Sequence, residues 1–199
     1  MISKLAEKLV DCLYCQHDIS DDEQELYKYG FFILLSQILY FIIVTTIGVL
    51  FNIILESIIF YIAFHFIRRY AGGFHAKTET RCEISTLSIL CCIVLIKLSK
   101  MYDIRIALLS ISLVFAVLIF ILCPLDTPEK PLNDKEYKYF RKISWIILSL
   151  IIVAIIVSFI FKFNVVFAPC CASLILEGVL IGTGKIKKVY NEKRASSQA

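Results

Sequence analysis

Charge is scarce in this chain. Asp, Glu, Lys and Arg make up 19% of its 199 residues, where ordinary globular chains run near 25%. Hydrophobic residues reach 59% and mean hydropathy is +0.79, so the chain lacks the polar surface that a water-soluble domain of this size needs. Lipid is the solvent that fits. No Gly/Ser-rich or long polar linker divides the sequence, which excludes an obvious multidomain layout, and one domain over 1–199 is expected. The first thirty residues, MISKLAEKLVDCLYCQHDISDDEQELYKYG, lack the apolar core of a signal peptide. The eight cysteines therefore do not read as the disulfide framework of a secreted protein. Cys91, Cys92, Cys170 and Cys171 lie inside apolar runs, where cysteine packs as a small hydrophobe. Cys12-Leu-Tyr-Cys15 has His17 nearby, but no second CxxC completes a four-ligand zinc site. No metal or other cofactor is expected, and no nucleic-acid partner.

What is present is a series of long apolar runs. A membrane-spanning helix needs about 20 mostly apolar residues, and six candidates stand out: Gly30–Phe51, Ile53–Ile67, Ile84–Ser99, Ile104–Leu122, Ile143–Phe161 and Val165–Ile181. Asn52 marks a tight turn between the first two. The expected fold is all-α, a polytopic membrane protein of about six transmembrane helices. A cytoplasmic or interfacial segment over 1–29 precedes the transmembrane region, 30–181, and a cytoplasmic tail, 182–199, follows it. Ile2, Leu5, Leu9 and Leu13 recur at helical spacing opposite Lys4, Glu7, Lys8 and Asp11. That pattern predicts an amphipathic helix lying on the membrane surface. Ser20-Asp-Asp-Glu23 has the form of a capping box and predicts the start of the helix that enters the bilayer.

Basic residues set the orientation. With both termini inside, 17 of the 21 Lys and Arg residues fall in cytoplasmic segments, as the positive-inside rule requires. The segment RRYAGGFHAKTETRCE, residues 68–83, then faces the cytoplasm between the second and third runs. Thr80 to Glu83 fits a capping box with Thr80 at the N-cap, which puts Cys82 in the first turn of the third helix. Unpaired backbone N–H groups and the positive end of the helix dipole favour a thiolate there, and Arg81 pushes the same way. His75 is the candidate base. On a straight helix the two would stand about 10.5 Å apart along the axis, too far for a hydrogen bond, so a working dyad requires the chain to bend. Gly72-Gly73 and the polar KTET run permit it. The alternative is that these residues only punctuate a basic cytoplasmic turn.

The stretch RRYAGGFHAKTETRC closely resembles the signature of the accessory gene regulator B (AgrB) family of membrane cysteine endopeptidases that process quorum-sensing propeptides. The family pattern of an arginine, Gly-Gly, His-Ala and a cysteine seven residues after the histidine is matched by Arg68 or Arg69, Gly72-Gly73, His75-Ala76 and Cys82. CPLDTPEKPL, residues 123–132, resembles the family's Pro-rich cytoplasmic stretch. The resemblance implies a multi-pass protein of the cell membrane with its active site at the cytoplasmic face. It further implies that Cys82 forms a thioester with a short amphipathic propeptide, with His75 as general base, and that the peptide then closes into a thiolactone or lactone. Weaker expectations are that Arg68, Arg69, Gly72, Gly73, Arg81, Asp126 and Lys130 bind substrate or support the site. The lipid bilayer is the other partner, and self-association into a homodimer fits a small helical membrane protein.

Two other functions compete. Glu56 and Glu177 lie in apolar runs, where an ionisable residue is costly and is a functional candidate by default, so a small transporter or exporter is the runner-up. Neither acid has an obvious partner in the sequence, and His65 has only Arg69 at helical spacing. A thiol oxidoreductase using Cys12 and Cys15 conflicts with their placement in the reducing cytoplasm.

Overall fold

The computed structural model describes residues 21–72, 79–101, 103–125 and 133–196, and over them the chain is helical. The helices are α1 (Asp21–Leu50), α2 (Ile54–Ala71), α3 (Glu79–Met101), α4 (Arg105–Leu122), α5 (Asp134–Ile160) and α6 (Asn164–Ser196). Met1–Thr46 forms one unit and Ile47–Ala199 another.

The first unit holds most of α1, described from Asp21; the cap expected at Ser20 lies outside the described residues. The expected surface helix over the first nineteen residues lies outside the described residues. α1 ends at a corner where Asn52 takes a positive φ of 54°, a conformation that Asn tolerates better than most residues. The turn expected at Asn52 is there.

In α4 and α5 the inward faces carry serine while the outward faces are mainly apolar. α5 turns Ser144, Leu148, Ile151, Ile155 and Ser158 inward and leaves Ile146, Leu150, Val153, Val157 and Ile160 exposed. Both sets recur every three or four residues, so both are stripes of one helix. A soluble protein would make the second stripe polar. α4 repeats the pattern, with Leu108, Ser112, Ala116 and Ile119 inside and Val114, Val117 and Ile121 outside. Two of the buried serines satisfy themselves within their own helices: Ser158 Oγ donates to the Ala154 carbonyl at 2.6 Å and Ser173 Oγ to that of Cys170 at 2.8 Å. Small, self-satisfied residues let helices approach in lipid, where no hydrophobic force drives them together. This is a membrane protein.

α6 is the centre of the second unit and packs against α2, α3, α4 and α5. From Phe167 to Gly178 every residue but Ile175 is buried, which is the mark of a helix enclosed by protein. Gly178 makes the α4 contact possible, since a Cβ there would stand 2.4 Å from Cδ1 of Phe115. Cys92, Cys170 and Cys171 are buried free thiols, packing residues as expected, while Cys91 is exposed.

Among the described residues, four segments are long and apolar enough to cross a membrane: Gly30–Leu50, Arg105–Leu122, Asp134–Ile160 and Asn164–Tyr190. α2 is an 18-residue helix with Glu56 in its first turn and Arg68 and Arg69 in its last.

Candidate functional site

Two sequence segments that stand far apart in the chain meet at the C-terminal end of α2. The helix ends at Ala71, and Gly72 turns the chain with φ +75° and ψ −152°. L-residues rarely adopt that φ, and a Cβ on Gly72 would stand 2.7 Å from the Leu125 carbonyl oxygen, so glycine is required twice over. The Leu125 amide donates to the Ala71 carbonyl at 2.9 Å, and Gly72 and Leu125 pair as an isolated parallel bridge. Leu125 follows a cis Cys123–Pro124 peptide. The end of RRYAGG is thus bound to the start of CPLDTPEKPL.

The walls of this corner come from α4, α5 and α6. Phe120 of α4 stacks on Trp145 of α5, centroids 4.7 Å apart, and the indole Nε1 donates to the Phe120 carbonyl at 3.3 Å. The Arg141 guanidinium lies 4.8 Å over the same indole, a cation–π arrangement. α5 itself opens with a complete capping box, Asn133 reciprocated by Glu136, whose Oε2 accepts from the Asn133 amide at 3.1 Å. Cys123 is fully buried here. Burial pushes its thiol above the ordinary range, and the nearby Arg141 charge only partly offsets this. Such a thiol is a poor nucleophile.

The paired arginines diverge. Arg69 is exposed, with its guanidinium 5.8 Å from the Tyr70 ring, and Tyr70 packs on Phe140 of α5 at 6.0 Å. Arg68 turns inward. Its Nη1 donates to the Gly72 carbonyl at 3.0 Å and stands 3.6 Å from Oε1 of Glu177. Glu177 is wholly buried in α6. The sequence left this acid without a partner: Arg68 stands in the last turn of its helix and Glu177 well inside α6, and no spacing along the chain pairs the two.

Glu56 has a partner too, at the other end of α2. It is 4% exposed and forms an ion pair with Lys100 of α3. Next to it, Lys97 Nζ donates to the Phe51 carbonyl at 2.9 Å. α3 is therefore tied by its C-terminal end to the corner after α1. Cys82 is the fourth residue of α3, about 27 Å along the axis from Lys100 at 1.5 Å per residue. The described part of the helix runs from Glu79, so Thr80 lies inside the helix and not at its cap, and the residues before Glu79 that would fix its first turn lie outside the described residues. The side chains of Cys82 and Arg81 are outside the described residues, as are Gly73, His75, Asp126 and Lys130. His65 packs in α2 against Tyr61 at 5.9 Å and Phe66 at 6.2 Å. Among the described residues no cluster of His, Cys, Asp or Glu could hold a metal ion.

The family model described as Accessory gene regulator B matches residues 4–181. The chain belongs to the AgrB family. An AgrB-like protein of Clostridium perfringens (strain SM101 / Type A) is 30% identical over 171 residues, covering 82% of this chain and 80% of the relative. Protein FsrB of Enterococcus faecalis (strain ATCC 47077 / OG1RF) is 28% identical over 164 residues, covering 77% of this chain and 60% of FsrB. An AgrB-like protein of Listeria innocua is 26% identical over 153 residues, covering 76% and 74%. No solved structure matches. AgrB proteins are involved in quorum-sensing propeptide processing, and the matched span contains both segments that meet at Gly72 and Leu125.

Proposed function

We propose that this AgrB protein is a membrane cysteine endopeptidase that cleaves the C-terminal part of an autoinducing propeptide and promotes its cyclisation. The observation that carries the proposal is the family match over residues 4–181, which spans the His75 and Cys82 signature. The position of Cys82 near the described start of α3 supports it physically. Unpaired amides at a helix start favour the thiolate and offer donors to an oxyanion.

In the first step the Cys82 sulfur attacks the scissile carbonyl carbon, with His75 holding the thiol proton. The C–N bond breaks, His75 gives its proton to the departing amine, and the C-terminal tail leaves. The peptide stays on Cys82 as a thioester. In the second step a Cys or Ser of the peptide attacks that thioester, passes its proton to His75 and releases Cys82 as the ring closes. Exchanging a thioester for a thiolactone swaps similar bonds, whereas the first step trades an amide for a thioester and runs uphill, so tail removal must draw it forward. Keeping water out at the membrane surface protects the thioester. The chain crosses the cell membrane with α2 and α3 as additional short spans, both termini in the cytoplasm and the active site on that side, in accord with 17 of 21 basic residues falling inside. The amphipathic N-terminal segment docks the propeptide on the inner leaflet, and the protein works as a homodimer.

The transporter alternative needs Glu56 and Glu177, and both already neutralise basic partners, Lys100 and Arg68. The test is tail release from a propeptide encoded beside this chain, assayed in lipid. Loss of release in both Cys82→Ala and His75→Ala supports the peptidase. Release that persists in Cys82→Ala rejects it.

A further inference from the structure

Glu177 is hard to explain as a packing residue. It is wholly buried in the central helix, and neither carboxylate oxygen makes a hydrogen bond among the described residues. An apolar side chain of that size would serve the core of α6 better, because desolvating a charge is repaid only by close, well-bonded partners. What the carboxylate does have is Arg68 Nη1 at 3.6 Å. The same nitrogen donates to the Gly72 carbonyl at 3.0 Å.

We propose that Glu177 is a positioning residue which, through Arg68, holds the Gly72 corner and thereby sets the rate of the first acyl-transfer step. Two successive carbonyls of that corner are held from two different directions. The Leu125 amide holds Ala71, and Arg68 holds Gly72. The helix before it ends at Ala71, and Gly72 stands three residues before His75 in the sequence. A long basic side chain at the end of a membrane helix turns toward water when nothing inside attracts it. The Glu177 charge is an inward attraction. Removing it weakens the hold of Arg68 on the Gly72 carbonyl, three residues before the base in the sequence. The acyl-transfer half of this proposal rests on the peptidase function above; the structural half does not.

The experiment uses the full chain in lipid nanodiscs as wild type, Glu177→Gln, Arg68→Gln and the double variant, with three readouts. Hydrogen exchange at the Leu125 amide reports the corner directly and needs no substrate. Glu177→Gln is expected to speed it by about tenfold as the corner opens locally; unchanged exchange overturns the proposal whether or not the chain is a peptidase. Thermal unfolding and the kcat and KM of tail release separate positioning from stability. Arg68→Gln leaves a lone buried carboxylate and should lower the unfolding midpoint most, while the double variant should recover it. A positioning role predicts that kcat stays down, by up to about a hundredfold, in all three variants with KM little changed. Recovery of kcat along with the midpoint in the double variant overturns the proposal, because the pair would then only support the fold. If wild type itself shows no Cys82-dependent tail release, the acyl-transfer half falls with the peptidase function, and exchange at Leu125 alone decides the corner.

Discussion

The two ends of α2 each set a buried carboxylate against a basic side chain, and they are built differently. At the first turn Glu56 pairs closely with Lys100, whose side chain is 36% exposed and keeps part of its charge in water. Lys97 caps the Phe51 carbonyl beside it. That end ties three helix termini together and leaves little unsatisfied. At the last turn Glu177 is sealed inside α6 and its partner sits just beyond hydrogen-bond length, because Arg68 also serves Gly72. The first pair closes a structure. The second joins the core to a backbone corner from which the signature segment departs, and gives up an optimal ion pair to do so. Similar charges in similar lipid thus do different work according to what else their donors hold.

That contrast can be broken or sharpened by experiment. The largest effects are expected beyond the Gly72 corner: Cys82→Ala should abolish tail release, and His75→Ala should cut it by on the order of a thousandfold or more, as for loss of a general base. Next comes the corner. Gly72→Ala meets both an unfavourable φ and the Leu125 carbonyl, at a cost of about 1–3 kcal/mol. It should depress processing far more than its shift in the unfolding midpoint explains. Lys100→Met should do the reverse. Leaving Glu56 buried without its partner should lower stability by about 2 kcal/mol, yet processing per folded molecule should stay near wild type. If Lys100→Met lost activity as severely as Gly72→Ala, the proposed division between the two ends would fail.

Smaller effects complete the comparison. The raised thiol of Cys123 should resist alkylation near neutral pH while Cys82 reacts, a difference readable by mass mapping of iodoacetamide adducts. Asp103 lies near the Glu56 end and is fully exposed; the hydrogen bond and charge of Arg105 hold its carboxyl below the usual carboxylate range. Whatever the pair contributes is therefore present at neutral pH and fades only as pH falls through that depressed value. Asp103→Asn should leave the unfolding midpoint unchanged at neutral pH in physiological salt, since exposed pairs are screened.

Much of the fold was legible because lipid makes period and length speak clearly. The apolar runs became helices and Asn52 became the corner. The capping box on Asn133 and Glu136 opens α5 well before the apolar run that begins at Ile143, so hydropathy alone places the start of that helix too late. The Gly72–Leu125 junction was invisible for another reason. It is a backbone contact between segments more than fifty residues apart in the sequence, and single-sequence periodicity carries no information about such pairs. The arginines show the same limit. Nothing in Arg68-Arg69 says which turns inward; the rotation of α2 against α6 decides it, and that depends on packing at Ile67 and Ala71, both fully buried.

The most direct test of the central claim is the mass of the intact protein after brief incubation with its propeptide in lipid. The account predicts a hydroxylamine-sensitive adduct on Cys82, equal to the peptide minus its C-terminal tail, absent in Cys82→Ala and slower to form in Glu177→Gln. Free tail released with no such adduct at any time, and equally in Cys82→Ala, would contradict it.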